Sequence, residues 1–405
     1  MQVVNRARRT SLLLATLAAV TVAVPASAQD SKGRLEVYGF GMLDMGYQAK
    51  QADPNWFDTV RPTKLPSYKD QYGADGHWFM GVRQSRLGFK GFIPSALGEV
   101  KTIFEFELFG TGADAGQTTF RLRHAWGELG KFGAGQYWSV FVDPDAFPNT
   151  FEYWGPNGLA WYRNVQARIT PVSDEKNLFM MAIERPGASA DQGVYADRIE
   201  LQGVSGRFPV PDLTAQYKRT GKAGHIAIAG IVRYIKWDDM NNDQYDLSGD
   251  ATGWGVNVST NLKVKQDVLR ASVVYGDGIQ NYMNDAPVDV GIETNPGNAR
   301  QPIVGKALPL LGATVFLDHT WNSKWTTSVG GSLLDIDNSN GQGADAFKRG
   351  TYGIVNLLHT PVPGVTYGAE LQYGGRENFK DGFTSDDVRI QFSFKYNFKH
   401  QMGGN

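Results

Sequence analysis

Cationic side chains recur at even spacings in this chain. In "FRLRH" (120–124) Arg121 and Arg123 stand two apart, and in "SRLGFK" (85–90) Arg86 and Lys90 stand four apart. On extended backbone, residues two or four apart share one face. A row of this kind forms no covalent bonds with a solute. It attracts anions, and each arginine fork can give a carboxylate two parallel hydrogen bonds. Lys101, Arg168 and Arg389 occupy equivalent positions in other alternating segments, as do Lys218, Arg233, Arg270 and Lys395. Glu105, Glu107 and Asp44 fall on the same face and are candidate counter-charges for the arginines.

Covalent or metal chemistry has thinner support. The six histidines, His77, His124, His225, His319, His359 and His400, include no H-x-x-x-H pair. No G-x-S-x-G elbow and no calcium-loop spacing occurs. By strand parity His124 faces away from the cations, and His319 falls near a short turn. No catalytic residue, metal ligand or cofactor is therefore assigned. A Ser/His or Asp/His dyad assembled between strands stays open as an alternative, because such sites are defined by geometry.

The cations need strands to hold them. In "DVRIQFSFKYNF" (387–398) Ile390, Phe392, Phe394, Tyr396 and Phe398 alternate with Arg389, Gln391, Ser393, Lys395 and Asn397. One face is oily and the other wet. Sixteen such segments begin near residues 34, 78, 98, 118, 132, 160, 177, 212, 225, 253, 268, 307, 325, 349, 365 and 386. The connections alternate between long (48–77, 110–117, 142–159, 185–211, 238–252, 277–306, 336–348, 376–385) and short. "RIELQGV" (198–204) also alternates and is expected as a hairpin inside a long loop.

Long loops at one end, short turns at the other and an even strand number are the pattern of an outer-membrane barrel. Closure removes every edge that lipid could not satisfy. Sixteen strands leave an aqueous channel, so the oily face must point out and the charged face in.

Composition agrees. The chain has 48 glycines, 12% aromatics and no cysteine, which favours sheet and excludes a disulfide framework or a thiolate metal site. Arg6, Arg8 and Arg9 precede an apolar run ending in Ala26-Ser27-Ala28, the pattern of an export signal over residues 1–28. Its removal takes three arginines and no acid, moving the net charge from −1 to −4, with no excess for nucleic acid. The expected mature domain is 29–405.

"DPDAFPNTFEYWGPNGLAWYRN" (143–164) breaks the pattern with Pro144, Pro148 and Pro156 among Phe, Tyr and Trp. Proline cannot donate within a central strand, and a solvated loop is seldom so aromatic. As the third long loop it either folds inward to narrow the lumen, with Asp143, Asp145, Glu152, Tyr153 and Trp154 along it, or packs outside on its neighbours.

"SRLGFKG" (85–91), "FRLRHAWGELGKFGAGQYWSVF" (120–141), "FPNTFEYWGPNGLAWYRNVQARIT" (147–170) and "FPVPDLTAQY" (208–217) resemble segments of the DcaP-like porins. That resemblance runs along most of the mature chain and is strongest over 83–238. It implies a trimeric sixteen-strand outer-membrane channel with an inward third loop and arginines that favour dicarboxylates. The sequence departs from that pattern in its short lead into the first strand and in the seven residues after Phe398.

The reading is an all-β, 16-stranded antiparallel transmembrane β-barrel of the outer membrane. It would pass small anionic solutes past Arg86, Lys90, Lys101, Arg121, Arg123, Arg168 and Arg389. Its other partners would be outer-membrane lipid and two further copies of itself. The alternatives are a barrel hydrolase and a secreted soluble β protein that binds glycans.

Overall fold

The computed structural model describes residues 33–404; the expected signal at 1–28 lies outside the described residues. The chain alternates strand and connection throughout. The barrel strands are β1 (Arg34–Gln48), β2 in two pieces (His77–Gly81 and Arg86–Ser95), β3 (Gly98–Phe109), β4 (Thr118–Leu129), β5 (Phe132–Trp138), β6 (Arg163–Ser173), β7 (Asn177–Glu184) and β8 (Asp212–Gly221). They continue as β9 (Gly224–Asp239), β10 (Gly249–Val264), β11 (Asp267–Asp277), β12 (Pro309–Thr320), β13 (Trp325–Ile336), β14 (Phe347–Val362), β15 (Val365–Asn378) and β16 (Thr384–Gly403). Each pairs antiparallel with its sequence neighbours, and β16 pairs with β1 from Arg34↔Gly403 to Gln48↔Arg389, closing a sixteen-stranded barrel.

The two faces of each strand differ as the alternation requires. On β9, Ile226, Ile228 and Val232 are exposed while Ala227, Ala229 and Arg233 are buried. On β16, Ile390 and Phe392 are exposed at 41% and 38%, whereas Arg389, Gln391 and Ser393 are at most 1% exposed. An apolar exterior around a polar interior is the inverse of a soluble barrel and suits a hydrocarbon surround. One sector of the interior departs from this. Ile231, Val274, Leu310 and Leu334 point inward and pack against Phe141, Ile279, Tyr282 and Met283 of two long loops. There the loops cover the wall, so apolar side chains are buried from water on the inside as well.

β2 is broken at Val82–Ser85. β1 pairs with both pieces, and between them Met42 donates its backbone N–H to Ser85 Oγ at 3.0 Å. The break turns Arg83 inward, where it is 1% exposed. Arg83 binds Asp58 at 2.5 Å and the carbonyls of Gly110 and Gln117 at 2.9 and 3.1 Å, tying the first long loop to the second.

Packing accounts for one difference from expectation. Segment 198–204 forms no hairpin: Ile199–Leu201 is a single 3-10 turn, and Val204–Arg207 adds to the end of β9. Leu201 packs with Leu247, Ile292 and Ile303, with Val204 against the same cluster. Lys399–Gly403 extend β16 against Tyr38–Arg34, and Lys399 Nζ lies 3.1 Å from Glu36.

Candidate functional site

Two carboxylates on β3 organise the arginines. Glu105 and Glu107 are two apart on the inner face, 7% and 1% exposed. Arg123 on β4 reaches both, with Nε 2.6 Å from Glu105 and Nη1 2.6 Å from Glu107. Arg86 on β2 lies 3.3 Å from Glu107 and 3.7 Å from Glu105. Arg121 and Arg163 approach the other oxygen of Glu107 at 3.6 and 3.8 Å. Four guanidiniums against two carboxylates leave an excess of two positive charges.

A β-bulge shapes this cluster. Glu105 pairs with His124 and the next residue, Phe106, pairs with Leu122, so Arg123 is the extra residue. A bulge inverts the parity of the residues beyond it. Arg121 and Arg123 keep their expected side, but His124 turns inward, where it is 5% exposed and its ring lies 4.5 Å from Tyr137. This corrects the outward placement that unbroken alternation gave it.

The cluster faces a cavity of about 800 Å³. Arg86, Lys90, Arg121, Arg123, Arg163 and Lys395 supply its cations, and Glu152, Tyr153 and Trp154 of the third long loop also line it. Arg163 was not among the expected residues. By parity with Arg168 it should face outward, yet it is the first residue of β6, paired with Trp138, and Trp138 also lines the cavity. Pairing across strands, not alternation along one, reveals it.

Three expected residues lie elsewhere. Lys101 is exposed and sits 3.7 Å from Glu128. Arg168 lies over the Trp126 ring at 4.6 Å. Arg389 is 1% exposed, lies over Phe79 at 4.3 Å, and its register partners are Gln48 and Gln372. Among the described residues Asp44 engages no arginine and instead accepts from Ser393 and Gln391 at 2.6 and 3.1 Å.

The third long loop is hydrogen-bonded to inner-face groups of many strands. Glu184 on β7 accepts from Ser139 Oγ and the Val140 N–H, and Asn257 on β10 donates to the Phe141 carbonyl. Asp143 accepts from Lys218 Nζ and Ser259 Oγ and meets His225 Nε2, all at 2.7 Å. Asp318 on β12 accepts the Asn149 N–H, and Glu370 on β15 accepts those of Phe151 and Glu152. Gly158 lies on the wall itself: its N–H donates to Ser332 Oγ, and a Cβ there would stand 2.1 Å from the Leu333 carbonyl. Only glycine allows that approach.

Loop acids differ in their electrostatics. Burial raises the Asp143 carboxyl, but the bonds from His225 and Lys218 outweigh it and leave Asp143 well below the usual carboxylate range. Burial pushes Glu152 up, against the pull of the Val60, Gly155 and Trp154 N–H groups. Burial, with Glu107 beside it, also raises the Tyr153 phenol, so it stays a proton donor. Asp143, Asp145 and His225 could together approach a metal ion, but Lys218 Nζ already stands 2.7 and 2.9 Å from the two aspartates and supplies the positive charge.

Trp154 joins three loops. Its indole N–H donates to the Asn284 carbonyl at 2.7 Å. The Arg61 guanidinium lies 4.0 Å from the rings of both Trp56 and Trp154, and its Nη2 is 2.7 Å from Asp285.

A family model described as DcaP outer membrane protein matches residues 63–287. No curated protein sequence matches the chain. Among solved structures, the outer membrane channel DcaP of Acinetobacter baumannii aligns with a TM-score of 0.73 and 21% identity, covering 90% of this chain and 97% of that one. The anion-selective porin from Comamonas acidovorans gives 0.55 and 9%, covering 90% and 100%. OmpT of Vibrio cholerae in its trimer form gives 0.53 and 12%, covering 90% and 99%. At these identities the structural likeness speaks for the fold.

Proposed function

The chain belongs to the DcaP outer membrane protein family and has the closed barrel of an outer-membrane porin, and on that premise we propose that it is a diffusion channel for small anionic solutes, dicarboxylates above all. Family and fold place it in the Gram-negative outer membrane and support a channel over an enzyme. The observation that carries the anion preference is the cavity lined by Arg86, Arg121, Arg123 and Arg163, whose four guanidiniums share the carboxylates of Glu105 and Glu107. A positive wall of low dielectric concentrates anions locally.

The arginines divide by exposure. The side chains of Arg123 and Arg163 are 8% and 10% exposed and serve the carboxylates behind them. Those of Arg86 and Arg121, at 24% and 26%, are the more exposed pair and line the cavity. A dianion engaging both cancels the excess of two charges. Because each guanidinium is already shared with a carboxylate, the solute exchanges instead of lodging. Lys90 and Lys395 extend the positive lining along the same cavity.

The third loop, folded inward, forms the other side of the constriction. Its hydrogen bonds to inner-face residues of β7, β10, β12 and β15 support this placement. Tyr153 and Trp154 give that side an aromatic surface, while Asp143, Asp145 and Glu152 are spent on anchoring. Lys101, Arg168 and Arg389 act outside the solute path, and the working unit is a homotrimer. Reversal potentials of the purified protein in planar bilayers under a salt gradient, with mono- and dicarboxylates as competing anions, test the assignment. A cation-selective or non-selective channel would refute it.

A further inference from the structure

We propose that Glu107 is a positioning residue that couples the third loop to the charge of the pore, an inference that rests on the anion-channel reading. Glu105 and Glu107 look equivalent in sequence, yet only Glu107 touches the loop. Its Oε1 accepts the Tyr153 hydroxyl proton, while Oε2 takes Arg123 at 2.6 Å and Arg86 at 3.3 Å. Arg121 donates to the same Tyr153 oxygen at 3.4 Å. The Tyr153 ring is stacked on Phe109 at 3.9 Å with an interplanar angle of 10°. Glu105 instead binds Arg123, Arg86 and Tyr38, all on the wall.

The carboxylate is therefore surrounded by donors only. A buried carboxylate needs such partners, because removing it from water is costly unless charge and hydrogen bonds are both supplied. Glutamine in its place would keep the volume but turn one N–H₂ group towards donors and remove one negative charge. The wall would gain net positive charge and the loop tip would lose its acceptor. Glu107 thus performs two tasks with one group: it fans the four arginines and pins Tyr153 over them. Solute that draws Arg86 or Arg121 forward loosens the same hub.

The test uses the full-length protein in planar bilayers, reading the reversal potential in a KCl gradient and the open-channel current noise. Glu107→Gln should raise the anion/cation permeability ratio roughly fivefold, because one charge about 8 Å away in a water-like dielectric acts on anion and cation with opposite sign, and should also raise the noise. Tyr153→Phe keeps the ring on Phe109 and the wall charges, so the noise should rise while the reversal potential moves less than in Glu107→Gln. Glu105→Gln should shift the reversal potential alone. Wild-type noise in both Glu107→Gln and Tyr153→Phe, or equal noise in Glu105→Gln and Glu107→Gln, would overturn the coupling. If Glu107→Gln does not assemble, the Tyr153→Phe and Glu105→Gln pair decides. A wild-type channel with no anion preference would instead remove the solute assignment and leave the noise comparison standing.

Discussion

The Glu370 carboxylate accepts the backbone N–H of Phe151 at 2.5 Å, joining residues 219 apart in the chain. Glu370 takes the next N–H, of Glu152, at 2.8 Å, and is itself held by Asn356 and Gln372 at 3.0 Å each. A wall carboxylate with donors on both oxygens thus seats the tip of the third loop.

Glu370→Gln should release that seat. The amide N–H₂ of glutamine would face backbone N–H groups, leaving a buried donor unsatisfied at a cost of about 1–3 kcal/mol. The expected outcome is faster hydrogen exchange at the amides of residues 151 and 152, with the barrel strands unchanged. Unaltered protection there would mean that the loop is held by other contacts.

Selectivity should track Arg86 and Arg121. Replacing both with alanine is expected to move the reversal potential in a salt gradient away from the anion limit. Arg168→Ala, whose guanidinium lies over Trp126, should leave it in place, as should Lys101→Ala. Equal shifts in the two sets would refute the division between solute-facing and structural arginines.

The Asp143 anchor should be robust to moderate acid. Its carboxyl is depressed in the folded protein, so its stabilising contribution is complete above the unfolded value of about 3.9 and is lost only as pH falls towards the folded value. Open-channel noise of the wild type should be equal at pH 7 and at about pH 4.5 as far as this anchor is concerned. Asp143→Asn, which loses the charge facing Lys218, should be noisier at both.

Arg61 should lock the outer loops. Its two ring contacts are each worth about 0.5–2 kcal/mol, and Asp285, fully buried, would lose its cation. Arg61→Ala in intact outer membranes is expected to expose the loop between β11 and β12 to limited proteolysis. Resistance equal to wild type would argue against the clasp.

Much of this molecule is local enough to be read from the chain. Alternation in "DVRIQFSFKYNF" needs only neighbouring residues, and lipid outside with water inside makes one face oily along every strand. The connections of alternating length then give the strand count and closure, and Arg86, Lys90, Arg121 and Arg123 emerge on one wall because parity holds through that stretch. The residues that parity misplaced are those governed by distant partners. His124 turned inward because the bulge opposite Glu105 and Phe106 admits one extra residue. Arg163 joined the cluster because its strand begins against Trp138. Arg389 carries the right type on the right face but is sealed among Phe79, Gln48 and Gln372. Side-chain periodicity is set by the backbone alone, whereas register, bulges and the path of a proline-stiffened loop depend on contacts with other strands, some nearby in the chain and some more than two hundred residues away, and those contacts select which charges meet in one cavity.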